Sequence, residues 1–307
     1  MGRRATIAGI SIATALLALT ACGAAPGDQP PLRDNDVIVV ASFDFDESEV
    51  LGELYVQALQ ASGFDAVHTP RAGTREVLLP ALERWLVEVV PEYAGSAVEF
   101  LGGTATVDPA LAHETLRLML GLRGIAVAEA AAAQSRNGLV VSAETAAEHG
   151  LRSIGDLRAL ASEMTLGGPP ECPDRDLCLP GFEQIYGLEF GSFLPLDAGG
   201  PITAEAVQRG TVDVGVLFTS DGSLAEHGLV LLEDDRRLQP AENVTPLVRR
   251  AVVARSGGGV IETLDAVSSQ LTTDDLRLMN AAVRSGTTPR DAAAAWLAEH
   301  RSSAAPG

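Results

Sequence analysis

The chain carries few of the side chains that perform covalent chemistry, and their arrangement argues against an enzyme. It contains no lysine, which excludes a Walker A loop, a Schiff-base lysine and a Ser-x-x-Lys acyl-transfer site. Neither a Gly-x-Ser-x-Gly elbow nor a His-Glu-x-x-His pair occurs. A metal site needs several converging ligands, whereas the histidines are scattered. They are His68, His113, His149, His227 and His300. We therefore expect no catalytic centre, no metal and no cofactor.

The first cysteine predicts a lipid anchor. Arg3 and Arg4 precede an apolar run that ends at Leu19-Thr20-Ala21-Cys22. A cysteine after Leu-x-Ala is similar to the bacterial lipobox, in which the thiol is lipidated and becomes the mature N-terminus. The alternative is a transmembrane anchor, but the run is short for a span and leaves Cys22 without a role. The sequence thus predicts an extracytoplasmic protein held at the cell membrane by a lipid on Cys22.

Composition divides the chain further. We interpret residues 1–21 as the signal peptide and residues 22–36, which are rich in proline and glycine, as a flexible lipidated tether. The folded part begins near Val37 and is long enough for two domains of ordinary size. The formal net charge of -19 makes nucleic acid and anionic lipid head groups poor partners.

The other two cysteines, Cys172 and Cys178, lie close together in the sequence. Outside the cytoplasm such a pair is expected to form a disulfide that holds the shape of its loop. A zinc site is the alternative, but it would need two further ligands nearby, and Asp174 and Asp176 are poor substitutes.

Strand and helix patterns alternate along the rest of the chain. The apolar run from Val37 to Ser42 is typical of a buried parallel strand, and Asp46 with Glu49 predicts the N-cap of a helix. Similar runs predict strands at 86–90, 125–127, 138–142, 164–167 and 211–218, with helices between them and three more from 260 to 300. This pattern predicts an α/β fold, with two doubly wound lobes. Ligands of such sheets gather at the carboxyl ends of strands, in the loops after Ser42, His68, Val90 and Phe218.

Six segments, which follow one another along the chain in the family's order, carry a family resemblance. They are 41–55 (ASFDFDESEVLGELY), 73–83 (GTREVLLPALE), 91–101 (PEYAGSAVEFL), 166–173 (LGGPPECP), 196–201 (LDAGGP) and 213–222 (DVGVLFTSDG). Together they resemble the substrate-binding proteins of quaternary-ammonium, or osmoprotectant, ABC importers. The resemblance spans nearly the whole mature chain.

The resemblance implies a two-lobed type II periplasmic-binding-protein fold with the ligand in the cleft between the lobes. Such chains cross twice between lobes, so residues 37–138 and 245–307 would form lobe I and residues 139–244 lobe II. Closure around the ligand would be a hinge motion, and an importer would recognise the closed form.

The ligand chemistry explains which residues such a cleft needs. A quaternary ammonium spreads its charge over methyl groups that donate no ordinary hydrogen bonds, so aromatic faces and carboxylates recognise it. By resemblance, the tyrosine of the family's Glu-Tyr-Thr-Gly-Thr motif is Tyr93, and the last threonine of that motif is Ser96. Phe218 stands where the family has an aromatic residue before its Asp-Gly turn. Arg175 falls where some members place an arginine for a ligand carboxylate.

The chain also departs from the family. A first loop that often reads Ser-Lys-x-Phe-Thr-Glu is here Ser42-Phe43-Asp44-Phe45-Asp46-Glu47, which suits a cation without a carboxylate or a different ligand. Asn137 and the region around Thr203 lack the aromatics of full cages. The phenylalanines that would complete a box (Phe43, Phe45, Phe182, Phe218) are alternatively core residues.

Several other candidates have two interpretations. Thr74 either caps the N-terminus of a helix or forms a hydrogen bond to the ligand. Asp44 is either the counter-charge of a cation or a solvated loop acid. Asp221 is interpreted as a turn former. Arg175 is alternatively paired on the surface with Asp174 or Asp176.

The sequence therefore predicts a monomeric solute-binding component of an ABC importer that takes up glycine betaine, choline, carnitine or a similar compound and passes it to permease subunits. A sensory or scaffolding lipoprotein of the same fold, or a binder of another small solute, is the alternative. Tyr93 and Phe218 are the predicted apolar walls and Asp44 the counter-charge. The remaining predicted ligand-binding residues are Ser42, Phe43, Thr74, Ser96, Asn137, Arg175 and Thr219.

Overall fold

Two five-stranded sheets organise the residues that the computed structural model describes, 37–197 and 199–301. The strands are β1 (Ile38–Ala41), β2 (Ala66–Thr69), β3 (Val89–Tyr93), β4 (Ile125–Val127), β5 (Asn137–Ser142), β6 (Thr165–Gly168), β7 (Ser192–Pro195), β8 (Val214–Phe218), β9 (Leu229–Leu231) and β10 (Val244–Arg249). The helices are α1 (Asp46–Ala61), α2 (Arg75–Glu83), α3 (Ala94–Phe100), α4 (Pro109–Gly121), α5 (Ala143–His149), α6 (Leu179–Gly181), α7 (Pro201–Gln208), α8 (Ser223–Glu226), α9 (Arg250–Arg255), α10 (Gly259–Ser268), α11 (Thr273–Arg284) and α12 (Pro289–Arg301).

The two sheets share one plan. The first has the order β2-β1-β3-β10-β4 and the second β7-β6-β8-β5-β9. In each, three parallel strands lie side by side, and a fourth strand runs antiparallel between the third and a short edge strand. That fourth strand is β10 in the first sheet and β5 in the second, and each is the first strand after the chain has passed over from the other sheet. The predicted α/β fold class is confirmed.

We call the first sheet with its helices lobe I and the second with its helices lobe II. The chain passes from lobe I to lobe II between β4 and β5 and returns between β9 and β10. The limits proposed from the sequence, 37–138 with 245–307 and 139–244, stay a prediction.

Each lobe has its own core. In lobe I, α1 presents Leu51, Leu54 and Leu59 to the sheet, and all three are fully buried. In lobe II, alternate residues of β5 point to opposite faces, as the two-residue period of a strand requires. Leu139 therefore joins the cluster on one face and Val140 the cluster on the other.

Two local predictions near the cleft were wrong. Asp46 was expected as the N-cap of α1, but Phe45 holds that position and Asp46 is the first helical residue, paired with Arg71. The strand expected at 86–90 is β3 at Val89–Tyr93, because the chain first turns at Trp85, where φ is 70°. The shift places Tyr93 at the carboxyl end of the strand.

None of the helices in the described part of the chain has the length and apolar character needed to span a bilayer. The predicted signal peptide, the tether and Cys22 lie outside the described residues.

Candidate functional site

A cavity of about 970 Å³ opens between the lobes, and we call it the cleft cavity. Lobe I lines it with the loops after β1, β2 and β3 and with α11, and lobe II with the loop before α7 and the turn after β8. In both lobes these loops follow the carboxyl ends of parallel strands, where open α/β sheets bind ligands.

Aromatic rings line the lobe I side of the cleft cavity. The rings of Phe45 and Tyr93 lie 6.2 Å apart between centroids, and the rings of Phe43 and Phe45 lie 6.0 Å apart. Phe45 is 42% exposed, although it is an aromatic side chain, whereas Phe43 is 4% exposed. Tyr93 is 7% exposed, and both it and Phe45 line the cleft cavity, whereas Phe43 does not.

A buried carboxylate adjoins these rings. The hydroxyl of Tyr93 donates to Oε1 of Glu47 at 2.6 Å, and Nδ2 of Asn280 donates to Oε2 at 2.7 Å. Glu47 lies in the first turn of α1 and Asn280 on α11, so two helices meet at this carboxylate. Burial, with the charge of Glu47 beside it, raises the pKa of Tyr93 well above its ordinary value, so its hydroxyl stays a donor.

A second buried carboxylate, Glu242, lies just before β10. Both its oxygens accept hydrogen bonds from Ser96, one from the hydroxyl at 2.7 Å and one from the backbone N–H at 3.0 Å. Gly95 permits this approach, because a Cβ there would lie 2.9 Å from the carbonyl oxygen of Ala241 and 3.1 Å from Oε1 of Glu242. Burial raises the pKa of Glu242 to about 7, although the Ser96 hydrogen bonds favour the ionised form.

The guanidinium groups that line the cleft cavity are engaged by acids. Arg75 makes a bidentate pair with the fully buried Glu92, at 2.7 and 3.0 Å, and lies 5.4 Å from the centre of the Phe43 ring. Arg284 on α11 donates to Asp221 at 2.8 Å. This second bond ties α11 of lobe I to the turn after β8 in lobe II.

Phe218 is the aromatic residue that lobe II adds. It ends β8, and its side chain is 38% exposed. Its ring lies against Gly199, where a Cβ would come within 2.5 Å of a ring carbon. Because Gly199 also has a φ of +64°, this position suits glycine both sterically and conformationally.

Four of the residues predicted to bind ligand line the cleft cavity: Asp44, Tyr93, Ser96 and Phe218. Asp44 lies in the exposed loop after β1 and is 3.4 Å from Arg71. Ser96 faces the cavity from α3 and holds Glu242. Their contacts with a ligand stay a prediction.

Four others do not line it: Ser42, Phe43, Thr74 and Thr219. The buried hydroxyl of Ser42 hydrogen-bonds Nε2 of His68 at 3.0 Å, and Thr74 stands at the N-cap position of α2. The Thr219 hydroxyl accepts from the N–H of Arg136 at 3.0 Å, on the segment that crosses between the lobes. Ser42 and Thr219 thus hold a loop and a crossover segment beside the cavity, whereas the Thr74 side chain makes no capping hydrogen bond.

The last two, Asn137 and Arg175, line a neighbouring cavity of about 530 Å³ beside the Cys172–Cys178 loop. We call it the disulfide-side cavity. Phe218 and Gly199 border both cavities and lie between them. The sequence-predicted residues thus divide between two adjacent spaces.

The sequence patterns do not indicate several residues of the cleft cavity as ligand contacts. They are Glu47, Arg71, Arg75, Ser135, Ser220, Glu242, Asn280 and Arg284, while Phe45 was considered only as a possible cage member. Glu47 lies in the segment 41–55 that carries the family resemblance, so its position could be predicted from the sequence. Glu242 and the α11 residues carry no motif, because only the tertiary fold brings them to the cleft.

Cys172 and Cys178 form the expected disulfide, with their Cα atoms 5.2 Å apart. Within the described residues, no group of three histidine, cysteine, aspartate or glutamate side chains is placed to hold a metal ion.

Solved structures share this architecture. A crystal structure of a glycine betaine/carnitine/choline ABC transporter protein superposes with a TM-score of 0.80, at 18% identity, over 86% of this chain and 98% of that one. Apo YehZ from Escherichia coli has a TM-score of 0.73 at 26% identity, over 87% and 99% of the two chains. The two-lobed binding-protein fold is therefore confirmed.

Sequence comparisons agree. The glycine betaine-binding protein YehZ of Escherichia coli is 26% identical over 265 residues, which cover 82% of this chain and 87% of that protein. A glycine-betaine-binding protein of Pseudomonas aeruginosa is 25% identical over 282 residues, 88% and 89% of the two chains. The family described as the substrate binding domain of ABC-type glycine betaine transport systems matches residues 36–299. Since that match takes in both lobes and the cleft between them, the chain belongs to this family of transport substrate-binding domains.

Proposed function

We propose that this protein captures a quaternary-ammonium compound in the cleft cavity and delivers it to the permease of an ABC importer, without chemical change to the ligand. Membership of the family supports the transport role. The observation that carries the ligand class is the pair of rings of Phe45 and Tyr93 beside the buried carboxylate of Glu47.

The physical argument rests on what a quaternary ammonium can and cannot do. Its methyl groups form no strong hydrogen bonds, so attraction comes from aromatic faces, worth about 2 kcal/mol or more when desolvated, and from nearby negative charge. Phe45 and Tyr93 supply the faces, and Glu47 and Glu242 supply the charge. Phe218 approaches the same cavity from lobe II, which suits closure of the lobes around the ligand.

The same proposal includes where the protein works, how it is anchored and which segments move. The receptor would work as a monomer outside the cytoplasm, anchored by a lipid on Cys22, with residues 22–36 as the tether. Residues 37–138 with 245–307 and residues 139–244 would move as the two lobes. The hinge would lie in the two crossover segments, between β4 and β5 and between β9 and β10.

Titration calorimetry of the full chain in detergent tests the proposal. Glycine betaine, choline, carnitine and proline are titrated separately, with glucose and glutamate as controls. Saturable binding of at least one quaternary amine, with none for the controls, is the expected result. The absence of measurable binding for every quaternary amine would overturn the proposed function.

A further inference from the structure

The net charge that the cleft cavity presents to a ligand depends on which of its charged groups are already paired. Arg75 is neutralised by Glu92 through two hydrogen bonds, and Arg284 is neutralised by Asp221. Both acids are buried, so neither pair is screened as an exposed one would be. Neither guanidinium is left to neutralise a ligand carboxylate.

The third guanidinium of the cavity wall, Arg71, is surrounded by acids. It contacts Asp44, Asp46 and Glu49, the last at 2.8 Å from its Nε. Three carboxylates around one guanidinium leave an excess of negative charge at this mouth of the cavity. A ligand carboxylate would be repelled there rather than bound.

Two carboxylates of the cavity wall, in contrast to the arginines, have no charged hydrogen-bond partner. Glu47 accepts from Tyr93 and Asn280, and Glu242 accepts from Ser96. All of these donors are neutral. Each glutamate is 8% exposed, and a buried charge without a charged partner is costly.

The charged groups that face Glu242 offset each other. They are Arg75, whose charge favours its ionised form, and Glu92, whose charge opposes it. Because Arg75 and Glu92 form one bidentate pair, their combined field at Glu242 is small. Glu242 therefore has only partial compensation from Arg75 until a cation enters the cleft cavity.

We propose that the cleft cavity selects a quaternary ammonium that lacks a carboxylate, of which choline is the type, over zwitterions such as glycine betaine and carnitine. This inference rests on the proposed function and narrows its ligand class. A cation compensates Glu47 and Glu242, whereas a zwitterion brings a carboxylate for which the cavity wall has no free cationic partner.

Choline and glycine betaine make a matched pair of probes, since they share the trimethylammonium group and differ in a hydroxymethyl against a carboxylate. We expect calorimetry on the full chain to give choline at least a hundredfold lower Kd than glycine betaine at pH 8. Glu242→Gln and Glu47→Gln should each raise the Kd for choline at least tenfold. The Kd for glycine betaine should stay unchanged or fall. Glu114→Gln, on the exposed surface of α4, is the control and should change neither.

The outcomes separate this inference from the proposed function. If glycine betaine binds as tightly as choline or tighter, the cation selectivity is wrong while the transport role stands. Loss of that betaine binding in Arg175→Ala would identify the disulfide-side cavity as the carboxylate site. If no quaternary amine binds, both proposals are wrong. The wild-type comparison of the two ligands decides the inference even if a glutamate variant fails to fold.

Discussion

The two walls of the cleft differ in chemistry. The lobe I wall is dense in charged and hydrogen-bonded groups, with Glu47 and Tyr93 at its centre. The lobe II wall adds Phe218 behind a glycine-rich loop at Gly199 and Gly200, and its acid Asp221 is already paired across the cleft. The difference favours a division of roles in which lobe I would recognise the charge of the ligand and lobe II would cover it with an apolar surface.

Tyr93→Ala should break the lobe I wall most severely. The substitution removes a ring from the cavity and a hydrogen bond from Glu47, and loss of a desolvated cation–π contact of about 2 kcal/mol corresponds to about a thirtyfold weaker Kd. Calorimetry with the quaternary amine that binds best gives this value. Tyr93→Phe, which keeps the ring, is the matched control and should lose less. Unchanged affinity in Tyr93→Ala would remove Tyr93 from the site.

The pH dependence of binding tests the charge of the lobe I wall. Since the pKa of Glu242 is about 7 in the free protein, a cation meets mostly ionised Glu242 at pH 8 and mostly protonated Glu242 at pH 6. Affinity for choline should therefore fall about tenfold between pH 8 and pH 6. Calorimetry at both values measures it, and Glu242→Gln should abolish the dependence. An equal Kd for wild type at the two pH values would contradict the role of Glu242.

The raised pKa of Glu242 also makes the stability of the fold depend on pH, but in the opposite direction to choline affinity. The folded-state pKa of Glu242 is raised above its unfolded value, so its contribution to stability is present at low pH and is lost as pH rises through about 7. A bound cation favours the ionised form. The increase in Tm caused by choline should accordingly be larger at pH 8 than at pH 6, and thermal unfolding measures it.

Phe218→Ala tests how much the lobe II wall contributes to binding. Its ring is partly exposed and has no carboxylate contact of its own, so a loss of about 1 kcal/mol, or about fivefold in Kd, is expected. Phe218→Leu keeps apolar volume without the ring and is the control. A loss larger than that of Tyr93→Ala would reverse the proposed division between the walls.

Removal of the disulfide should have the smallest effect on binding. Cys172→Ala with Cys178→Ala opens a short loop in lobe II, which lowers stability by about 2 kcal/mol and Tm by about 4 to 8 °C. The bond lines only the disulfide-side cavity, so choline affinity should stay within about twofold. Calorimetry and thermal unfolding together check both values. A tenfold loss of affinity with an unchanged Tm would place the ligand beside the disulfide.

How far the sequence predicts the molecule depends on whether a feature is local. The apolar runs of β1, β5 and β8 are bounded by polar residues and were predicted. β10 was not, because Thr245 and Pro246 interrupt its apolar pattern and its place between β3 and β4 is set by distant residues. α3 was also missed, since Gly95 weakens the helical pattern there.

The same rule applies to the candidate site. Tyr93 and Phe218 end strands, and Asp44 and Ser96 come shortly after strands, so their position near the cleft could be predicted from topology. Asn280 and Glu242 come from parts of the chain that no motif marks, and only the packing of α11 and the return crossover brings them to the cavity. The pairing of each arginine likewise depends on tertiary contacts, so the charge offered to a ligand was not readable from the composition.

A crystal structure of the full chain with choline tests the account most directly. We predict the trimethylammonium group in the cleft cavity against the faces of Phe45 and Tyr93, with Glu47 and Glu242 as its nearest charges and Phe218 covering it from lobe II. Choline bound instead in the disulfide-side cavity beside Arg175, or held by one lobe alone, would contradict the division of roles between the two walls.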